Sequence, residues 1–260
     1  MISPQALIDP GAKIGKNVKI YPFAYIEDNV EIDDECVIYP FVSIMKGTRL
    51  GKRNIVYQNA VIGAIPQDFF WKEEPTEVFI GNQNIIRENV IISRATDKNN
   101  PSRIGNKNTF MESTHISHNV TVGDHCIFGY GVKIASECQI SNNVIFSSNV
   151  IAKPQCRIGE MAFILSGCRF GADIPPYITA KNNPIEYGGI NARHLSHENI
   201  SDKIQRHIAN AYRLVFNSKS SLYDSILQIE DQVQDSPEIQ NILEFLKSSK
   251  GIITKSNEQM

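Results

Sequence analysis

A six-residue beat of apolar residues restricts the fold of this chain more than any other feature. From Ile8, every sixth residue reads Ile14, Ile20, Ile26, Ile32, Ile38, Ile44, Leu50, Val56 and Ile62; the frame returns at Ile80, Ile86 and Ile92, and again from Ile104 to Phe170. Of the 28 positions in this frame 25 are apolar, and the exceptions, Asp68, Glu74 and Lys98, mark two places where extra chain leaves the repeat. A helix repeats near 3.6 residues and an ordinary strand at two, so neither generates this beat. A solenoid whose short flat faces each need one inward anchor does. The residue four after the anchor is repeatedly small, as in Ala12, Val18, Ala24, Cys36 and Ala162, which suits a tight corner. Glycine or an acidic residue often follows the anchor, as in Gly15, Asp33, Gly51, Gly81, Gly105, Gly123 and Gly159. A turn with φ > 0 or a local side-chain bond is expected there.

All five cysteines fall on the small-residue register, and their spacings contain no CxxC pair. They read as packing residues, reduced as in a cytosolic protein, rather than as disulfides or metal ligands. A formal net charge of −2 gives no whole-molecule attraction to nucleic acid. The N-terminus, Met1-Ile2-Ser3-Pro4, carries neither a charged nor an apolar leader segment, and no apolar run is long enough to cross a bilayer. A cytoplasmic protein without a membrane span is expected.

The repeat gives way at Asp173-Ile174-Pro175-Pro176-Tyr177, where two prolines remove ladder donors. Three amphipathic helices are expected beyond it. Ser201 caps one with Ile204, Ile208, Ala211, Tyr212 and Val215; a second uses Leu222, Ile226, Ile229 and Val233; Ser236-Pro237-Glu238 opens a third, which Gly251 ends. The division is therefore a parallel β-helix over residues 1–190, with loop insertions near 63–79 and 93–103, and a C-terminal helical domain over 191–260 that covers an open end.

Several strings, in order, resemble the UDP-N-acetylglucosamine O-acyltransferases that begin lipid A synthesis, members of the left-handed β-helix, hexapeptide-repeat acyltransferases. Gly63-Ala64-Ile65-Pro66-Gln67-Asp68 resembles the family's G-x-x-P-Q-D loop and Ile86-Arg87-Glu88 its I-R-E. His115-Ile116-Ser117-His118 resembles H-x-[AS]-H, Asp173 to Tyr177 resembles D-[IV]-P-P-Y, and Asn210-Ala211-Tyr212-Arg213 resembles N-A-Y-[KR]. The resemblance implies a cytoplasmic homotrimer with active sites in clefts between neighbouring solenoids. It implies two substrates, a 3-hydroxyacyl chain on acyl carrier protein and a UDP-linked N-acetylated sugar, and no cofactor or metal. The absence of a P-loop or dinucleotide fingerprint agrees with the last point.

The chemistry asks for a base to take the proton of a sugar hydroxyl and for donors to the oxyanion of the tetrahedral intermediate. By the resemblance His118 is the general base, and the backbone N–H of Ser136 is the oxyanion donor. Gln67, Asp68, His115, Glu137, Lys153 and Asn191 are the substrate-binding positions, and Ser166 and Gly167 lie where the family sets acyl length. The chain departs from the family pattern at Asn119, which replaces the aspartate after the base. It departs again at Glu137, Lys153 and Ser93, where histidines are usual, and at His197-Glu198, opposite a basic pair. A neutral amide at 119 can still accept the Nδ1 hydrogen bond of the base. Phe69, Phe70 and Trp71, three consecutive aromatics, either line a cleft or pack on a neighbouring subunit. The lost histidines leave open the same fold acting on a 3-amino or other nucleotide sugar; a separate reading is a metal-binding or scaffold solenoid, whose zinc site would require a third histidine beside His115 and His118.

Overall fold

The computed structural model describes residues 1–217 and 220–254; the end of the expected 191–260 domain, from 255 onward, lies outside the described residues. Strands of two to five residues wind into three sheets, one strand per sheet in each regular coil. The first sheet runs over nine strands from Leu7–Ile8 to Arg169–Phe170, the second over eight from Lys13–Ile14 to Arg157–Ile158, and the third over ten from Lys19–Ile20 to Glu186–Ile190. Anchors eighteen residues apart stack in register, Ile8 on Ile26 and Ile116 on Ile134, as the beat requires. The result is a left-handed parallel β-helix. Ile62 to Ile80 is eighteen residues and Ile92 to Ile104 twelve, both multiples of six. The two insertions therefore leave the frame intact.

Inside the tube, Ile26, Ile44, Ile62, Ile92, Ile116 and Ile134 are fully buried. Phe110, Phe128 and Phe146 stack at 4.7 and 5.0 Å. A buried amide ladder runs alongside them: Asn84 N–H donates to Asn54 Oδ1 and Asn108 N–H to Asn84 Oδ1, both at 2.8 Å. Cys126 N–H completes it by donating to Asn108 Oδ1 at 2.7 Å. Each buried amide thus has partners, as a low-dielectric interior demands. The five cysteines are buried free thiols.

The corners correct one expectation. Positive φ falls three residues after the anchor, at Asn17, Asn29, Asn89, Asn119, Asn143 and Asn149; Gly63, which opens the first insertion, is the post-anchor glycine with positive φ, and Gly15, Gly51, Gly81, Gly105, Gly123 and Gly159 do not have it. Those glycines answer a different need. A Cβ on Gly15 would lie 2.7 Å from the Asp33 backbone and one on Gly81 2.7 Å from the Gly105 carbonyl, so successive coils close in where a side chain has no room. The side-chain bonds sit one residue further on, where Asn82 N–H donates to Asn106 Oδ1 at 2.8 Å and Asn106 N–H to Asp124 Oδ1 at 2.6 Å.

The prolines at 175 and 176 interrupt the ladder without ending it. Ile174 keeps a parallel bridge to Ile158, and Ile178–Lys181 adds a parallel strand on Phe163–Ile164. Proline removes a donor only at its own position, so the chain beyond can pair again. It then returns antiparallel along Glu186–Ile190, a hairpin the hexad did not reveal.

Four helices follow: α1 (Ala192–His197), α2 (Asp202–Asn217), α3 (Leu222–Gln232) and α4 (Pro237–Ser248). The three longer ones are those expected, and Ser236 caps α4 by accepting from Ile239 N–H. α4 ends at Ser248, with Ser249 as its cap, rather than at Gly251. Gly251 instead gives its carbonyl to Asp173 N–H at 2.9 Å, tying the chain back to the last coil. Buried Tyr212 of α2 donates its hydroxyl to the Pro176 carbonyl at 2.6 Å, and Arg157 lies over the Phe245 ring of α4 at 4.5 Å. These contacts seat the helices on the end of the solenoid. Among the described residues no helix is long and apolar enough to cross a membrane.

Candidate active site

The site is built on a corner of one coil and on the loop that leaves the repeat above it. Strand His115–Ile116 carries the chain to His118 and Asn119, and Asn119 turns the corner at φ 57°. Asparagine tolerates the left-handed region better than most residues, so one side chain serves both turn and site. His118 is only 6 % exposed, and its Nδ1 lies 2.8 Å from Asn119 Oδ1.

The surroundings fix which atom is which. Asn119 Oδ1 also accepts from Thr96 N–H at 3.1 Å and Thr96 Oγ1–H at 2.8 Å, while its Nδ2 donates to the Asn100 carbonyl at 2.9 Å. An atom that accepts twice from Thr96 is the oxygen, so His118 Nδ1 must carry the proton it shares with it. In the neutral ring the unprotonated nitrogen is then Nε2. It faces Asp68 Oδ2 at 3.8 Å.

Asp68 lies in the loop between strands Val61–Ala64 and Val78–Ile80. Its Oδ1 accepts from Phe70 N–H at 2.7 Å and its carbonyl from Trp71 N–H at 3.3 Å, which closes a tight turn. Gln67, beside it, is exposed. The consecutive aromatics separate: Phe69 and Phe70 point into solvent at 103 % and 90 % exposure, while Trp71 turns inward with its Nε1 buried.

His115 stands on the outer side of the first sheet, paired with Ile91 and Lys133. Burial, reinforced by the Lys133 charge, holds its imidazole below the usual histidine range. Both effects disfavour the charged form, so His115 is neutral near pH 7. Ser136 and Glu137 occupy the same corner one coil further along: Glu137 N–H donates to the His118 carbonyl at 3.1 Å, and Glu137 Oε2 accepts from Gln155 at 2.9 Å. The Ser136 N–H has no hydrogen-bond partner among the described residues. Lys153, exposed, packs its stem against Gly171 another coil on. A polar groove of about 600 Å³ passes Asn119, Glu137, Gln155 and Arg157 to Ser248 at the end of α4 and Lys250 beyond it.

Asn191 is placed differently from these residues. Its side chain is buried and donates to the Met161 carbonyl at 2.9 Å, and its N–H donates to the Tyr177 carbonyl, at the far end of the solenoid. Ser166 Oγ lies 2.6 Å from Ser147 Oγ on the corner between the third and first sheets, and Gly167 turns that corner at φ 75°. Among the described residues no group of three or more histidine, cysteine or acidic side chains converges in a way that would hold a metal ion. Sequence reasoning missed Thr96 and Arg94, whose roles emerge only from the contacts of the second insertion with the first.

Comparison with known proteins agrees with the geometry. The profile of a family described as "Udp N-acetylglucosamine O-acyltransferase; Domain 2" matches residues 173–253, and that of the bacterial transferase hexapeptide (six repeats) matches 11–44 and 101–136. A curated acyl-[acyl-carrier-protein]–UDP-N-acetylglucosamine O-acyltransferase of Anaeromyxobacter sp. is 35 % identical over 98 % of this chain and 99 % of its own. One from Halorhodospira halophila is 37 % identical over 96 % and 97 %. Among solved structures, a UDP-N-acetylglucosamine acyltransferase from Bacteroides fragilis superposes with a TM-score of 0.96 at 44 % identity, covering 97 % of this chain and 99 % of that one.

Proposed function

The chain belongs to the UDP-N-acetylglucosamine O-acyltransferase family, and from that premise we propose that it moves a 3-hydroxyacyl chain from acyl carrier protein to the 3-hydroxyl of UDP-N-acetylglucosamine, the first step of lipid A synthesis, with His118 as general base. The observation that carries the mechanism is the protonation pattern of His118: Nδ1–H is committed to Asn119 Oδ1 at 2.8 Å, which leaves Nε2 to accept the proton of the sugar hydroxyl.

As that hydroxyl attacks the thioester, the proton passes to Nε2 and the imidazole becomes a cation. Asn119 orients the ring but adds no charge. Asp68, 3.8 Å from Nε2, supplies the negative charge that stabilises the imidazolium. The Ser136 N–H, without a partner of its own, is the donor assigned to the oxyanion. The imidazolium then protonates the departing thiolate as the tetrahedral intermediate collapses. Gln67, Asp68 and the neutral His115 are assigned to the sugar, and Glu137, in the polar groove, and Lys153, against Gly171, to the rest of the substrates. Asn191 is assigned substrate contact across a subunit boundary, since its place at the far end of the solenoid separates it from His118 of its own chain.

We assign the catalytic work to the solenoid, residues 1–190, and the closing of its open end to residues 191–260. We propose a homotrimer, and what supports it is the third sheet, whose outward positions Val37, Ile55, Ile85, Ile127, Ile145 and Phe163, interrupted by Thr109, make an apolar stripe left partly exposed by one chain. Five free thiols and a carrier-protein substrate fit the cytoplasm. The test is direct: offer the purified protein UDP-N-acetylglucosamine and its 3-amino analogue with a set of hydroxyacyl carrier proteins, and identify the products by mass spectrometry. O-acylated UDP-N-acetylglucosamine is expected, and turnover should fall at least ~10²-fold in His118→Ala. An active His118→Ala enzyme overturns the mechanism.

A further inference from the structure

Arg94 is 97 % buried, yet among the described residues no carboxylate pairs with it. Its Nη1 donates to the Gly63 carbonyl at 3.2 Å and approaches the Lys46 carbonyl at 3.5 Å. Burial pushes the guanidinium below its usual range, opposed only by the field of Glu27. A buried charge held by carbonyls alone is costly, so what it secures should matter.

What it secures is the first loop. The guanidinium carbon lies 5.3 Å from the centre of the Trp71 ring, within cation–π range. Trp71 Nε1 is buried with no partner, so the indole is held by its face rather than by its N–H. Trp71 and Asp68 are the two ends of one turn, joined by Trp71 N–H to the Asp68 carbonyl at 3.3 Å and by Phe70 N–H to Asp68 Oδ1 at 2.7 Å. A shift of the indole therefore moves Asp68. The neighbours of Arg94 hold the rest of the frame: its own N–H donates to the Ala64 carbonyl, Ala95 N–H to the Glu77 carbonyl, and Thr96 to Asn119 Oδ1. Three consecutive residues thus hold both ends of the loop and the amide that orients His118.

We propose that Arg94 is a positioning residue for the acyl transfer: by clamping Trp71 it sets Asp68 opposite His118 and so forms the acceptor side of the site. This rests on the function proposed above, and it has a readout that does not. Trp71 is the single tryptophan of the chain, so its fluorescence reports the loop directly. In Arg94→Met the emission should move to the red and acrylamide quenching should approach that of a free indole, with the oligomer unchanged. The KM for UDP-N-acetylglucosamine should rise at least ~10-fold, because a displacement of about an ångström at a binding group is costly, while the KM for the acyl carrier protein stays near that of the parent. Arg94→Lys keeps the charge but loses the planar face that lies on the ring, so it should rescue only in part. If Arg94→Met does not fold, Trp71→Ala, a change in the loop outside the tube, should give the same selective rise in KM. Unchanged emission and quenching in Arg94→Met, a native acceptor KM, or an equal rise for both substrates would each overturn the proposal. A parent protein that never acylates UDP-N-acetylglucosamine would sink the functional reading instead, and the quenching comparison would still decide whether Arg94 holds the loop.

Discussion

At the residue scale, the character of the site follows from an amide standing where a carboxylate is usual. Asn119 Oδ1 accepts from His118 Nδ1 and twice from Thr96, so orientation of the ring is kept without the negative charge. Asn119→Asp restores that charge at the same atom. It also turns the second oxygen toward the Asn100 carbonyl, which now receives Nδ2–H at 2.9 Å. The carboxylate favours the protonated imidazole, so His118 should keep its proton to higher pH. In the role proposed for it His118 works only when neutral, and activity should therefore be lost at higher pH on acidification. The acidic limb of the kcat/KM profile should move upward; a limb that stays in place would mean that residue 119 does not govern the ring. That His118, Asp68 and Asn119 belong together was legible because the string around each is specific, and the structure places them side by side. Arg94 was not, because in sequence it stood only beside a missing histidine at Ser93, and nothing in a chain of letters says that an arginine is buried without a counter-ion.

At the element scale, the anchors were legible and the corners were not. A buried apolar residue every sixth position leaves a strong trace, whereas the left-handed residue at each corner is variously Asn, Phe, Glu, Arg or His and leaves almost none. The post-anchor glycines attracted the wrong explanation because glycine serves close approach as readily as positive φ. The hairpin to Glu186–Ile190 and the six-residue α1 were too short to show a period. The anchors themselves can be tested within one strand. Ile134 is fully buried between Ile116 and Ala152 of the adjoining coils, while its neighbour Lys133 is exposed. Ile134→Asp places an unpaired carboxylate inside the tube and should cost on the order of several kcal/mol, with a clearly lowered Tm. Lys133→Asp, one residue away but facing outward, should leave the Tm nearly unchanged. Equal melting of the two variants would contradict the inward assignment of the frame.

At the scale of the whole molecule, roughly nine coils at about 4.8 Å each make a prism near ~43 Å long, and its three sides are unequal. The second sheet turns outward Lys13, Glu31, Arg49, Arg103 and Gln139, a mostly polar row in which Arg103 lies over the one aromatic ring, Phe79. The third turns out its apolar column, with Ile85 and Ile127 at 38 % and 41 % exposure, and the corner after it exposes Phe23, Phe41 and Tyr130. Burial of such a stripe favours association, and a cyclic trimer joins two different surfaces of each chain. In the trimer proposed above, with the third sheet and this corner toward the threefold axis, the first sheet of one protomer would face its neighbour, and His118, at the corner beyond that sheet, would sit at the rim of the cleft between them. The sequence held this column one residue before most third-sheet anchors, with Lys19 and Thr109 as exceptions, but a single chain does not say what covers it. Ile127→Glu tests the arrangement, since it sets three carboxylates into the buried stripe at a cost of several kcal/mol each. The parent should sediment at three times the 29.2 kDa chain mass, and Ile127→Glu should fall toward one chain and lose turnover with it. Lys13→Gln, exposed on the second sheet and outside the polar groove, should remain a trimer and remain active. A parent of single-chain mass would remove the trimer, and an intact, active Ile127→Glu trimer would move the interface to another face.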